Sequence, residues 1–340
     1  MKGTAMERSS KLIAALALFL LISTAFGQKA KSGGEIIKPD GYKAPPITVS
    51  AAMNELLAKS VEATLDEFKA KNFAPQDVSA TLIVLDDKGT EWTKGEVRGS
   101  ERIYPASVVK LFYMAALERQ IEDGRVTVTP ELRRGLRDMI VDSSNEATQY
   151  ILDVLTDTSS GAELPEKQFE AWQYKRNRVN RFFASMGYEK INVNQKTFCE
   201  DAYGIEQQSR SYKGENRNML TTNAVARLLA EIAAGRIANK DRTAEMMTLL
   251  RRDPFAKGAD DDQAHAFTGR MLIDRKLADV KLWSKAGWTS KTRHDAAYIE
   301  TPDGLRFVLV TFTVDHANET GFIPALAGRV LDALKASGHH

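Results

Sequence analysis

One cysteine, Cys199, stands in a chain of 340 residues, so no internal disulfide can form and the fold is held by its core. Histidine is scarce too, with five in all, two of them at the extreme C-terminus, and neither His-x-His nor His-Glu-x-x-His occurs. Hydrolytic metal centres are built on such clusters, so no metal and no cofactor are expected. Asp260-Asp261-Asp262 near His265 reads as a solvated loop. Charge is nearly balanced at +2, which implies no nucleic-acid partner, and Lys175-Arg176-Asn177-Arg178 reads as a solvated face. Internal repeats are absent. The longest apolar run, Leu12 to Ile22, falls short of the ~20 residues of a membrane span. Lys2, Arg8 and Lys11 precede it and Ser23-Thr24-Ala25-Phe26-Gly27 follows, the pattern of a secretory signal peptide cut near Gly27. A secreted or periplasmic protein is therefore expected, with no cysteine placed for lipid attachment.

Residues 28–48, with Ser32-Gly33-Gly34 and Pro45-Pro46, are expected to form a flexible lead-in. A domain at 49–337 follows. Met53, Leu56, Leu57, Val61, Leu65 and Phe68 recur at helical spacing. Ala80–Leu85 reads as a strand, followed by a turn and a return strand at Thr90-Glu91-Trp92. From residue 105 to 274 the signals are mainly helical, with Thr129-Pro130 and Thr221-Thr222 as helix starts. Strand signals resume at 281–288, 296–300 and 306–312, the last two flanking Pro302-Asp303-Gly304, and a helix closes the chain at 323–336. Strands at both ends must share one sheet to avoid marginal two-stranded ribbons. The expected fold is α+β: an antiparallel sheet from 49–104 and 275–337, terminal helices on one face, and the helical part, 105–274, on the other.

The most informative stretch is Tyr104-Pro105-Ala106-Ser107-Val108-Val109-Lys110. Positions i and i+3 share a helix face, so Ser107 and Lys110 can meet. A serine needs a base to become a nucleophile, and lysine serves only where burial lowers its pKa. The apolar run Leu111–Leu117 supplies that burial. Ser143-Ser144-Asn145 is the second motif: Ser143 with Glu146 fits a helix capping box, and also a hydroxyl that relays a proton to a leaving amine while Asn145 grips a substrate carbonyl. Lys285-Ala286-Gly287 is the third, on a strand. Lys285 can face a substrate carboxylate, and Gly287 marks close approach of another backbone or a ligand. The amides of Trp288 and Ser107 would together form an oxyanion hole.

Ser-x-x-Lys, Ser-x-Asn and Lys-x-Gly in this order resemble the active-site serine β-lactamases and penicillin-binding D,D-peptidases. The detail is most similar to the class A β-lactamase domain: Pro105-Ala106-Ser107, Arg217-Asn218-Met219-Leu220-Thr221-Thr222, and Arg293-His294-Asp295-Ala296-Ala297. The resemblance covers roughly residues 50–337. It implies that Ser107 is acylated, Lys110 is a base, Ser143 relays a proton, and Asn145 and Lys285 touch substrate. The substrate would be a β-lactam or a cell-wall peptide and the protein a monomer; a trap without turnover is the non-enzymatic alternative. Two departures stand out. The family's Glu-x-x-Leu-Asn, whose glutamate activates the deacylating water, is missing, and an extra block runs from Thr158 to about Asn194. Counting back from Thr221 proposes Glu206 for that glutamate, with Glu200 as rival. Ala286 replaces the family's threonine or serine, one contact fewer for a substrate carboxylate. His294 is expected to support its strand.

Overall fold

Val78-Ser-Ala-Thr-Leu-Ile-Val-Leu85 and Arg306–Val314 are apolar in near-continuous runs because both become strands covered on both faces. The computed structural model describes residues 34–86, 91–256 and 262–338, all within the unit Ser32–His340. The segment read as a signal peptide lies outside them. Among the described residues one sheet has seven strands: β1 (Ile47–Val49), β2 (Val78–Leu85), β3 (Trp92–Val97), β4 (Arg251–Arg252), β5 (Lys281–Trp288), β6 (Thr292–Glu300) and β7 (Arg306–Val314). Their order is β1-β3-β2-β7-β6-β5-β4. Neighbours run antiparallel except β1, which pairs parallel with β3. Strands from the two ends of the chain thus meet at the β2–β7 pair in the middle of the sheet.

Alternation sorts the side chains into two cores. Ile83 of β2 and Val308, Val310 and Phe312 of β7 face the helical block. Ala80, Leu82 and Val84, with Phe307 and Leu309, face α1 (Ala51–Glu67) and the closing helix 322–336. The helical block holds α2 (Lys110–Glu122) at its centre, buried on every side from Lys110 to Gln120. Around it lie α3 (Pro130–Ile140), α4 (Asn145–Thr156), α5 (Glu166–Arg176), α6 (Arg178–Ser185), α7 (Ile205–Arg210), α8 (Thr222–Ala233) and α9 (Lys240–Leu250). A single turn at Asp262–His265 and α10 (Thr268–Asp274) lead back to the sheet, and α11 (Phe322–Ala336) covers its outer face.

Thr129 caps α3 by accepting from the Leu132 amide at 3.1 Å, with Pro130 at the first helical position. The extra block folds into α5 and α6. Residues 34–49 differ from the flexible lead-in expected. Ile36 is buried, Glu35 pairs with Arg181 at 2.7 Å, Tyr42 donates to Glu231 at 2.7 Å, and Ile47–Val49 join the sheet. The Gly and Pro content suggested freedom, but isolated apolar and charged side chains between them find partners.

Candidate active site

Ser107 sits in the 3-10 turn Ala106–Val109 that leads into α2, so its position is fixed by the most buried helix of the block. Ala106, just before it, is held at φ +47°, a left-handed conformation costly for a residue with a Cβ. Strand β5 passes directly over this turn. A Cβ placed on Gly287 would lie 2.8 Å from the Ser107 amide nitrogen and 2.8 Å from the Pro105 carbonyl, so only glycine lets the two backbones approach. Gly287 and Ser107 thus bring the amide at Ser107 beside the strand that carries Trp288. His294 of β6 braces the same turn from beneath. Its Nδ1 accepts from the Thr313 amide at 3.2 Å, which assigns the proton to Nε2, donating to the Tyr104 carbonyl at 2.9 Å. Burial pushes its pKa down to about 4, so the ring stays neutral.

Lys110 is fully buried, and burial lowers its amine to about pKa 7, with Glu146 and Cys199 pulling weakly the other way. Its Nζ donates to the Ser143 carbonyl at 2.5 Å, to Asn145 Oδ1 at 3.0 Å and to Ser143 Oγ at 3.2 Å. Three acceptors match the three hydrogens of an ammonium. On losing one proton the amine can keep the two carbonyl-type acceptors and offer its lone pair to a hydroxyl. The Ser107 hydroxyl has no hydrogen-bond partner among the described residues, so the contact with Lys110 expected from their helical spacing is not a hydrogen bond in this structure, where the amine turns to Ser143 and Asn145 instead.

Ser143 lies between α3 and α4, and the structure separates the two roles its sequence allowed. Ser144 is the cap, accepting from the Ala147 amide at 3.0 Å. Ser143 itself stands at φ +56°, turned into the site. Its Oγ accepts from Lys110 and, at 3.0 Å, from Lys285 Nζ. With both lone pairs engaged by amines, the hydroxyl proton is the one available for a leaving group. Lys285, fully buried on β5, also donates to Gln263 Oε1 at 2.6 Å and the Ala286 carbonyl at 2.8 Å. Gln263 accepts from the Ala286 amide at 3.2 Å and donates to the Val141 carbonyl at 2.7 Å, tying β5 to the end of α3.

Two residues here had no signal in the sequence. Gln263 followed an acidic run and looked solvated. Cys199 was considered only for disulfides, yet it accepts from Asn145 Nδ2 at 3.6 Å and lies 3.7 Å from Glu146 Oε1. Ala286, where the sequence reading noted a missing hydroxyl, is fully buried. It packs in a small cluster with Phe267 and Ile323, so its side chain is enclosed in apolar surroundings. Trp288, 42% exposed, rests against Phe267 at the rim.

Glu206 is not brought to this group. It is buried at the start of α7, where Arg176 forks onto its two oxygens at 2.7 and 2.8 Å. Ser160 donates to it at 2.8 Å and Lys196 stands 3.4 Å away. Burial pushes its carboxyl up, and Arg176 and Lys196 overcome that and hold it below the ordinary range. Counting residues failed because the extra block supplies Arg176 and so claims this glutamate for itself. Glu200 is exposed and lines a cavity of about 80 Å³ with Tyr104, Lys196 and Arg217. Among the described residues no hydrogen bond or ion pair links either glutamate to Ser107, Lys110 or Ser143.

A buried amine near neutrality, a serine that follows the strained Ala106 beneath strand β5, and a second serine between two lysines make up the candidate site on an α+β scaffold. The model of the Beta-lactamase enzyme family matches residues 126–334, more than half of the chain, and the chain belongs to that family. The match begins after the Ser107 turn and does not cover it. A β-lactamase from Sphaerobacter thermophilus is similar in structure at 20% identity and TM-score 0.57, covering 84% of this chain and 97% of that one. PBP-A, in a mutant form described as an acyl-enzyme complex with penicillin G, is 18% identical with TM-score 0.58, covering 86% and 99%. TLA-1 extended-spectrum β-lactamase is 14% identical with TM-score 0.58, covering 83% and 99%. At such identities the likeness concerns the fold, which is that of the serine β-lactamases. No curated protein matches the sequence.

Proposed function

We propose that this protein is an exported serine hydrolase, similar to class A, that opens β-lactam rings through an ester on Ser107 and releases the product slowly. Ser107 would attack the ring carbonyl as its proton passes to the Lys110 amine. The amides of Ser107 and Trp288 would hold the oxyanion. Ser143 would give its proton to the ring nitrogen, with Lys285 beside the substrate carboxylate and Asn145 on its amide. Export would follow cleavage near Gly27.

The observation that carries the slow release is the engagement of Glu206 by Arg176. An acyl ester in a dry pocket persists until some group activates water, and a carboxylate held by a guanidinium fork is a poor base. Glu146 is the carboxylate whose charge reaches Lys110, and it does so beside Cys199. A D-alanyl-D-alanine peptidase remains the second reading, favoured by the same observation. The test is a time course by intact-mass spectrometry after brief exposure to a penicillin, run alongside the loss of β-lactam absorbance. An adduct that outlasts many minutes with slow but measurable turnover supports the proposal. Fast turnover with no detectable adduct overturns it, and an adduct with no turnover at all favours the peptidase or the trap.

A further inference from the structure

Lys285 is fully buried, and its three ammonium hydrogens already have acceptors: Ser143 Oγ at 3.0 Å, Gln263 Oε1 at 2.6 Å and the Ala286 carbonyl at 2.8 Å. The shortest of these contacts goes to an amide oxygen, the neutral group nearest in shape to half a carboxylate. Gln263, carried by the turn Asp262–His265, cannot give the contact up by rotating its amide. Its Nε2 donates to the Val141 carbonyl at 2.7 Å and to the Ile140 carbonyl at 3.2 Å, and its Oε1 also accepts from the Ala286 amide at 3.2 Å. A flipped amide would set its NH2 against the ammonium and its oxygen against two carbonyls. The amide and the carbonyl of Ala286 are thus both engaged, and its methyl group adds no hydroxyl. Arg293, opposite Trp288 on β6, is turned elsewhere. Its Nη2 donates to the Ala266 carbonyl at 2.7 Å and its guanidinium lies over the Phe267 ring at 4.0 Å.

We propose that Gln263 sets the substrate specificity of this site. Its amide oxygen takes the place of a substrate carboxylate on Lys285, so the site accepts neutral acyl compounds, esters or amides without a free carboxylate beside the reacting carbonyl, nearly as readily as acids. The proposal rests on acylation of Ser107 as read above. An acid gains from a buried lysine through a charge-assisted hydrogen bond, worth roughly tenfold or more in affinity. Here that bond is already made within the protein. A carboxylate has to displace Gln263 or Ser143 to reach an ammonium hydrogen, and displacement takes a charged donor from a buried oxygen, a loss of the same order as the gain. Lys285 keeps its other duty, donating to Ser143. Gln263 acts through Lys285 and is a positioning residue.

The test is the rate of acylation of the whole chain by benzylpenicillin and by its methyl ester, followed by intact mass against time. The wild type should take both at rates within about threefold of each other. Gln263→Leu, which removes the acceptor and frees one ammonium hydrogen, should raise the acid-to-ester ratio about tenfold or more. Gln263→Glu, which restores an acceptor, should return the ratio to the wild-type value or below it. A merely structural role for Gln263 would slow both reagents alike and leave the ratio unmoved, which overturns the proposal. A wild type that favours the acid by more than about tenfold overturns it as well, and decides the matter even where Gln263→Leu does not fold. That preference would leave the hydrolase reading standing, whereas no adduct with either reagent overturns both.

Discussion

Replacing Lys110 by arginine asks whether a neutral amine drives acylation. Burial lowers Lys110 from 10.5 to about 7, so near pH 7 about half of the molecules carry the free base. A lysine left at 10.5 would carry it in only about three molecules per ten thousand, so burial raises the base population by ~10³. Arginine cannot lose its proton in this range and should slow acylation by roughly 10²–10⁴. The assay is the rate of labelling by a fluorescent penicillin between pH 5 and 9 (a window of roughly two units on either side of the expected midpoint). In the wild type the rate should climb with pH and level off above a midpoint of about 7, because the active form is the deprotonated one. The same shift leaves the unfolded chain holding more protons than the native one between about 7 and 10.5, so this group's contribution to stability increases with pH across that window. A labelling rate that is flat with pH, a midpoint near that of an ordinary lysine, or an arginine variant as fast as the wild type would refute this reasoning.

Gly287→Ala should keep the fold and lose acylation by about 10²–10³, since a Cβ there forces β5 off the Ser107 turn and with it an oxyanion donor; labelling kinetics beside a circular-dichroism spectrum would show it. Glu206→Gln should act on stability first. Leaving buried Arg176 and Lys196 to share Asp153 alone costs up to about 3 kcal/mol, a fall of several degrees in Tm by calorimetry. Its adduct lifetime should match the wild type's, and a lifetime lengthened tenfold or more at unchanged Tm would return Glu206 to the role of water-activating base. Ser143→Ala should slow ring opening while leaving penicillin affinity nearly intact, read as a fall in the maximal labelling rate at saturating reagent, about 10²-fold.

Most of the fold was legible because its elements carry strong local signals. The paired strands 292–300 and 306–314 flank a Pro-Asp-Gly turn, and α2 carries the apolar run Leu111–Leu117. What escaped were elements too short for periodicity to register: three residues of β1 and two of β4. Around the candidate site, Lys110, Ser143, Asn145 and Lys285, which hydrogen bonds join, all lie in motifs the sequence shows, through helix spacing, a turn and a strand. Gln263 could not, since its bonds to Lys285 and Val141 cross more than a hundred residues of chain on one side. Cys199 and Glu206 show the same limit from opposite directions. Glu206 was placed by counting back from Thr221 and Cys199 was weighed only for disulfides, and each takes its surroundings from the insertion and loops folded against it.

Most direct is the location of the β-lactam adduct. Protein exposed to penicillin, digested and sequenced by tandem mass spectrometry, should carry one acyl group on the peptide holding Ser107, and Ser107→Ala of unchanged Tm should carry none. An adduct on any other residue, or one that survives the alanine substitution, would contradict the account.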